Sequence, residues 1–419
     1  MDWLGRQRCA RFMRSALWLY PILSTAAATG LAPLVRWVDD LTRWRWMGFG
    51  PDGAKAVVGA LSSSLLTFIV FAFSILLLAV QMASGLLTPR IIARMFERPQ
   101  TQRVVAAFAF TWAFSLGTLG RIEDRVPQLQ VLLVVVMSII CVAMFFFLVQ
   151  MCVSQLRPGA IMEAVAEETQ AVIGTVYPDP FAEAPPAAGS LGPPRKVIPY
   201  RGRSGVVLAF DLETLVRTAA AAGGVVEIVP AVGDFLSDGG ALFQLHGASW
   251  ASVDEHALLR CVALARERKL DRDPAFGFRI ITDIAAKALS PAINDPTTGA
   301  LALDQFEELL LQLGRRNLDI GVTRDRGGAV RVVRNTPSWE DFLHLAVMEI
   351  RVYGAQSPQV TRRLHGMLGS LLAQLPPERG QALLDETEAL HRTVEHAYPE
   401  PWDRVQALCP DRQGFGHRT

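Results

Sequence analysis

Arg279, Asp283 and Lys287 stand at i, i+4 and i+8, and seven residues beyond the last of them begins Asn294-Asp295-Pro296-Thr297-Thr298. Four-residue steps keep side chains on one helical face. Two cations and a carboxylate therefore form a stack that leads toward a polar, proline-marked turn. Such a set is open to three chemistries. The favoured one is a solvated, ion-paired face without a ligand. The second is an anion site, in which an open helix N-terminus beside Arg279 and Lys287 receives a phosphate or carboxylate. The third is catalysis by Asp283 and Asp295, which no nucleophile or metal set supports.

Other reactive residues narrow the field. His246, His256, His344, His365, His391, His396 and His417 show neither HxH nor HExxH spacing, so no zinc site is expected. Cys9, Cys141, Cys152, Cys261 and Cys409 are scattered without a CxxC pair, which fits a reducing compartment for a soluble part. No Walker loop and no GxSxG occurs. No cofactor is expected.

The elements that must position the 279–298 residues lie in the second half of the chain. Asp273-Pro274, Asp295-Pro296, Thr336-Pro337 and Ser357-Pro358 each place a capping side chain before a proline, the signature of a helix start. Ser252 with Glu255 reads as a capping box before HALLRCVALARER. Asp295 and Pro296 thus open the helix TTGALALDQFEELLLQL, and Ser290-Pro291 closes FGFRIITDIAAKAL. Capping explains Asp295 and Pro296; it leaves Asn294, Thr297 and Thr298 unexplained. Between Ile320 and Arg334 the sequence reads as a β-hairpin turning near Arg326-Gly327-Gly328.

Before these helices, residues 196–250 read as short strands, GVVLAF and VVEIVPAV, bounded by glycines. The spacing in VGDFLSDGGALFQL resembles the turn-and-strand unit of barrel-sandwich modules. A carrier role needs a lysine at a hairpin tip, and Lys196 is the only lysine in the module. A small interaction barrel is the remaining expectation. The run from Pro178 to Arg195, rich in Pro, Ala and Gly, reads as a linker.

The first 156 residues are of another kind. The chain has 419 residues, 51% hydrophobic and 19% charged, with mean hydropathy +0.26 and net charge +1. That is too apolar for an ordinary soluble protein, and without a long basic run it gives no case for nucleic acid. Four segments without an Asp, Glu, Lys, Arg or His, Ser15–Val35, Ala56–Leu87, Val104–Gly120 and Val131–Leu156, are long enough or nearly so to span a bilayer, which takes about 20 residues. The first lacks a cleavage-site pattern and three more follow, so a signal peptide is not favoured. Arg6, Arg8, Arg11 and Arg14, with Arg90, Arg94, Arg98 and Arg103 of the second connection, favour both termini inside. In the first connection Leu34, Trp37, Val38, Leu41 and Trp44 face away from Arg36, Asp39, Asp40 and Arg43, which reads as a short interfacial helix.

Two features inside the apolar half exceed greasiness. Thr67, Ser74, Gln81 and Thr88 recur every seven residues and make one polar stripe, flanked by Ser63 and Ser84. Helix packing is the plainer use of such a stripe; lining a water-filled path in an oligomer is the functional one. Ala109, Ala113 and Gly117 form a small-residue row that lets another helix approach. The spans offer no Asp, Glu or His, which argues against proton-coupled transport.

The wording FAFSILLLAVQMASGLLTPRII, followed by a GDF-type β segment and then DPAFGFRIITDIAAKALSPAINDPTTG, resembles a bacterial family of predicted inner-membrane proteins that carries only a domain-of-unknown-function label. The resemblance runs from about Ser15 to Trp402, and ALSPAINDPTT is its most specific part. It implies location and architecture: four spans in the bacterial inner membrane and a large cytosolic C-terminal region. It implies no activity and no catalytic residue.

The expected architecture is therefore a four-helix membrane domain (1–156), a helical segment and linker (157–195), a small β module (196–250), a helical cytosolic domain with a hairpin (251–402) and a tail (403–419). The expected partners are the lipid bilayer, further copies of the chain, and an ion or small anionic ligand. The leading functional expectation is an oligomeric channel or passive transporter with a cytosolic gating domain. A membrane-tethered sensor or scaffold is the alternative, and an enzyme the third.

Overall fold

The computed structural model describes residues 19–42, 48, 50–86, 99–123, 126–155, 157–182, 191–247, 250 and 253–410. The chain divides into two compact units, Met1–Ala160 and Ile161–Thr419.

The first unit is helical: α1 (Leu19–Thr42), α2 (Pro51–Leu86), α3 (Pro99–Leu119) and α4 (Gln128–Gln155). Two of them contain stretches long and apolar enough to cross a membrane, Pro51–Leu78 and Gln128–Met151. The helices meet in two apolar clusters. One joins Leu65, Ala72 and Leu76 of α2 to Val104 and Phe108 of α3 and Cys141, Phe145 and Leu148 of α4. The other joins Ala28 and Ala32 of α1 to Ala54, Val58, Ala113, Phe114, Val131 and Val134. The small-residue row does what its sizes allow: a Cβ on Gly117 would stand 3.8 Å from Ala32 Cβ, so α1 and α3 run close there.

The expected break between a first span and an interfacial helix does not occur. The backbone stays helical through Pro33 to Thr42, and the residues from Arg43 to Met47 lie outside those described. Leu34, Trp37 and Leu41 are exposed, while Asp39, expected on the solvent face, is buried and accepts from Leu129 N at 3.0 Å. The reason is local. The first backbone N–H groups of a helix lack partners, and a carboxylate beside the N-terminus of α4 supplies one.

The second unit is α+β. After α5 (Pro158–Val176), strands β1 (Lys196–Pro199), β2 (Gly205–Phe210), β3 (Gly224–Ile228), β4 (Phe235–Leu236), β5 (Ala241–Gly247), β6 (Val262–Ala265), β7 (Val322–Arg324) and β8 (Val330–Arg334) build two sheets. Their orders are β1-β5-β3-β8-β7 and β4-β2-β6. The strands of 196–250 therefore do not close on themselves. The β7–β8 hairpin joins them, β8 running parallel to β3, with Val226 opposite Val332. The GDF turn has a definite cause: Gly233 sits at φ +95, and a Cβ there would strike the Arg268 guanidinium at 2.6 Å. Only glycine suits both the angle and the neighbour.

Two elements differ from expectation. The short helix α6 (Leu212–Ala222), capped by Asp211 and ended by left-handed Gly223, interrupts the strands. The helix expected over HALLRCVALARER is only α7 (Glu255–Leu259), after which Val262–Ala265 pairs with β2 as a strand. Its cap is Asp254, whose side chain accepts from Ala257 N; Ser252 lies outside the described residues.

The helical layer is α8 (Pro274–Ala288), α9 (Pro296–Gly314), α10 (Trp339–Tyr353), α11 (Pro358–Gln374), α12 (Gly380–Ala397) and α13 (Pro401–Leu408). Its core centres on Phe278, 5.5 Å from the Phe306 ring and 5.1 Å from the Phe342 ring. Asp273, Asp295 and Ser357 sit at N-caps before a proline as expected, although Ser357 makes no side-chain cap bond. Thr336-Pro337 does not start a helix. Ser338 does, through a capping box in which Asp341 reciprocates.

Candidate functional site

The 279–298 residues occupy α8 and its corner with α9. Arg279 Nε donates to Asp283 Oδ1 at 2.7 Å, as the four-residue spacing implied, and its Nη1 donates to Glu349 Oε1 of α10 at 2.5 Å. Burial works against the Arg279 charge, but Glu349 and Asp283 outweigh it and hold the guanidinium above the ordinary arginine range. Nearby, Thr282 donates its hydroxyl to Leu345 O at 2.9 Å, which adds a second link between α8 and α10. The stack is thus an interhelical clamp. Lys287, half-buried, lies one turn beyond Asp283.

The corner that follows explains the residues capping left over. Asn294 is the one non-glycine with positive φ among the described residues, at 51°. Asparagine tolerates this left-handed geometry better than most residues. Here it lets the chain reverse: Asn294 N bonds Ser290 O at 2.9 Å, and Asp295 N returns to Ala288 O at 2.8 Å. Asp295 then accepts from Thr298 N at 3.1 Å and from the Thr298 hydroxyl at 2.6 Å. Thr298 is buried and Thr297 exposed. Gly299 completes the corner, because a Cβ there would lie 2.8 Å from Leu289 Cδ2. Asp295 Oδ1 thus already takes one of the N–H groups an anion at the start of α9 would use.

A bordering network fixes the start of α8. Arg268 clamps Asp273 with Nε and Nη2 at 2.8 and 3.1 Å, while Asp273 caps Phe276 N. Burial raises the Asp273 carboxyl despite that arginine. Burial also pushes Tyr177 up to about 12.

The polar stripe of α2 has its own geometry. Thr67, Ser74 and Gln81 are all exposed on the first unit, and Thr88 lies outside the described residues. Thr67 donates to Ser63 O at 3.1 Å and Ser74 to Val70 O at 2.9 Å. A hydroxyl can satisfy its donor on its own helix in this way. A glutamine amide carries two donors and an acceptor and is not served by one such bond.

Sequence reasoning missed a second polar seam, buried between α3 and α4. Thr111, Ser115 and Thr118 bond carbonyls of their own helix, Ser138 bonds Val134 O, and the Gln130 amide donates to Ala32 O at 2.5 Å. Gln130 Oε1 is buried without a partner. The 111, 115, 118 spacing was a readable signal. Glu349 was not: nothing in the sequence places it beside Arg279.

A cavity of about 500 Å³ lies on α9, lined by Pro180, Glu308, Leu311, Gln312, Arg315 and Arg316. None of the 279–298 residues lines it. Among the described residues no group of three or more His, Cys, Asp or Glu side chains could hold a metal ion.

With this geometry in place, comparison with known proteins adds a family. An uncharacterized protein of Mycobacterium bovis is 26% identical over 427 aligned residues, covering 96% of this chain and 81% of the relative. An uncharacterized protein of Mycobacterium tuberculosis is similar to the same extent. No solved structure matches. The family model described as a predicted membrane protein (DUF2254) matches residues 14–370, which include the four helices described in the first unit, both sheets and the 279–298 corner. The chain belongs to this family of predicted membrane proteins.

Proposed function

We propose that the protein is a four-span integral membrane protein of the bacterial inner membrane, with both termini cytosolic, that conducts an ion or small solute along a path between copies of the chain. The observation that carries this reading is the outward placement of Thr67, Ser74 and Gln81 on α2. Lipid is a poor neighbour for a glutamine amide. A second copy or a file of water is a good one, and self-bonded hydroxyls still present lone pairs to such a path. The interior of one bundle is filled by Phe108, Phe114, Phe145 and Leu148, so the path belongs between subunits. Closed symmetric assembly is the ordinary way to build such a path.

The test is electrical. Purified protein in a planar bilayer should give discrete currents in asymmetric KCl, and Ser74→Leu with Gln81→Leu should abolish them. Silent bilayers from inserted, folded protein, or a monomer by mass analysis in lipid nanodiscs, would overturn the reading.

The second reading is a membrane-tethered sensor or scaffold acting through the second unit. It is favoured by the extent of that unit, Ile161–Thr419, far larger than an anchor requires. An anion at Arg279, Lys287 and Asn294–Thr298 would have to displace Asp283 and Glu349 from Arg279. Isothermal titration with inorganic phosphate, lost in Arg279→Gln, would support the ligand site. Absence of binding would leave the clamp as structure alone.

A further inference from the structure

The exposed line of α2 has a chemical sign. Ser63, Thr67, Ser74 and Gln81 fall within one arc of the helix, and all four are exposed. Each hydroxyl in that line commits its hydrogen to its own backbone. Ser63 donates to Ala60 O at 2.9 Å, Thr67 to Ser63 O at 3.1 Å and Ser74 to Val70 O at 2.9 Å. A hydroxyl has one donor and two lone pairs. These three groups therefore turn acceptor oxygen outward, with no donor left to compete. Gln81 adds an amide that carries both kinds.

No charge on the helix offsets that bias. Residues 56–81 hold no Asp, Glu, Lys, Arg or His, and the charged residues just before them, Asp52 and Lys55, are opposite in sign. The oxygen levels are also separated by alkyl ones. At 1.5 Å per residue Thr67 and Ser74 stand about 10.5 Å apart along the axis. Val70 lies between them, and Leu77 lies between Ser74 and Gln81, on nearly the same side; they are 59% and 58% exposed. An ion following this line meets oxygen, then alkyl surface, then oxygen again. Apolar levels strip water from an ion, and here lone pairs are what replaces it.

We propose that the path selects weakly hydrated monovalent cations, with K+ as the type, over both anions and divalent cations. This inference rests on the conduction reading above. Anions are held by N–H and O–H donors, and along this line the hydroxyl hydrogens point back into the helix. Divalent cations are bound largely by carboxylates, and residues 56–81 offer none. Uncharged oxygen is enough to replace the water of K+.

Full-length protein in a planar bilayer under a KCl gradient tests the sign. The current should reverse on the cation side, with K+ favoured over Cl− by about tenfold. With CaCl2 replacing KCl on one side, Ca2+ should permeate less well than K+. Thr67→Val and Ser74→Ala each remove one acceptor at little change in size. Both should still conduct, with the K+/Cl− ratio lowered by about threefold. Reversal on the chloride side, Ca2+ passing as readily as K+, or an unchanged ratio in both variants would overturn the proposal and leave conduction standing. Silence from inserted, folded protein would overturn the conduction reading and this one with it.

Discussion

Asn294 and Asp295 show how little of a polar cluster has to be chemistry. Each side chain in the corner answers a backbone demand: a left-handed turn for Asn294, an open helix start for Asp295, and a second bond to that cap for Thr298. Asn294→Ala should therefore lower local stability by up to about 1 kcal/mol, because alanine keeps the Cβ but loses the short polar side chain that eases the left-handed conformation, while Asn294→Gly, which has no Cβ, should not lower it. Asp295→Ala should cost about 1 kcal/mol through the lost cap. Amide exchange in the first turn of α9 reads both, and equal behaviour of the two Asn294 variants would refute the strain argument. Thiol chemistry offers a second check at this scale. Cys261 is buried and pushed up to about 11, so at pH 8 about one thiol in a thousand is ionised. Maleimide at that pH should spare Cys261 in folded protein and label it after denaturation.

Elements were legible where their signals are local. Asp273-Pro274 and Asp295-Pro296 announced α8 and α9, because a cap followed by proline acts within four residues. The stretch Val262–Ala265 looks helical in sequence but is a strand, because its partner, β2, lies more than fifty residues away and overrides local preference. The Arg279–Asp283 contact followed from spacing; the Arg279–Glu349 contact is tertiary and had no sequence signature. Helix approach is similarly hidden until the backbone is known. A Cβ on Gly277 of α8 would fall 2.0 Å from the Thr169 hydroxyl of α5, whereas Gly174 of α5 has nothing within 4 Å. Gly277→Ala should destabilise the second unit by about 1–3 kcal/mol through overpacking. Gly174→Ala should stabilise α5 by about 0.5–1 kcal/mol through helix propensity. Thermal unfolding of the full chain in detergent, followed by exchange at α5 and α8, distinguishes the two; a harmless Gly277→Ala would contradict the close approach.

The whole molecule poses a topological question that a single pair of probes can answer. Among the described residues two stretches, Pro51–Leu78 and Gln128–Met151, are long and apolar enough to cross a membrane. The four-span reading adds α1 and α3, and either count leaves both termini on one side. The difference lies between the two strong spans. If both termini are cytosolic as proposed, four spans put Gln100 on the cytosolic side and Glu123 outside, whereas two spans put both outside. Single cysteines at these positions, in a chain whose own cysteines are replaced, should label oppositely with an impermeant reagent applied to intact cells. Labelling of both from outside would reduce the count to two. The second unit carries a different consequence of its wiring. Val226 of β3 finds its parallel neighbour in Val332 of β8, beyond two long helices. During synthesis β3 emerges about a hundred residues before that neighbour, roughly 5–20 s at ribosomal speed. Until then one side of a central strand is an open edge, the kind that recruits stray strands. Fragments ending near residue 250 should therefore aggregate, and the nascent chain has to pass through that same vulnerable interval each time it is made.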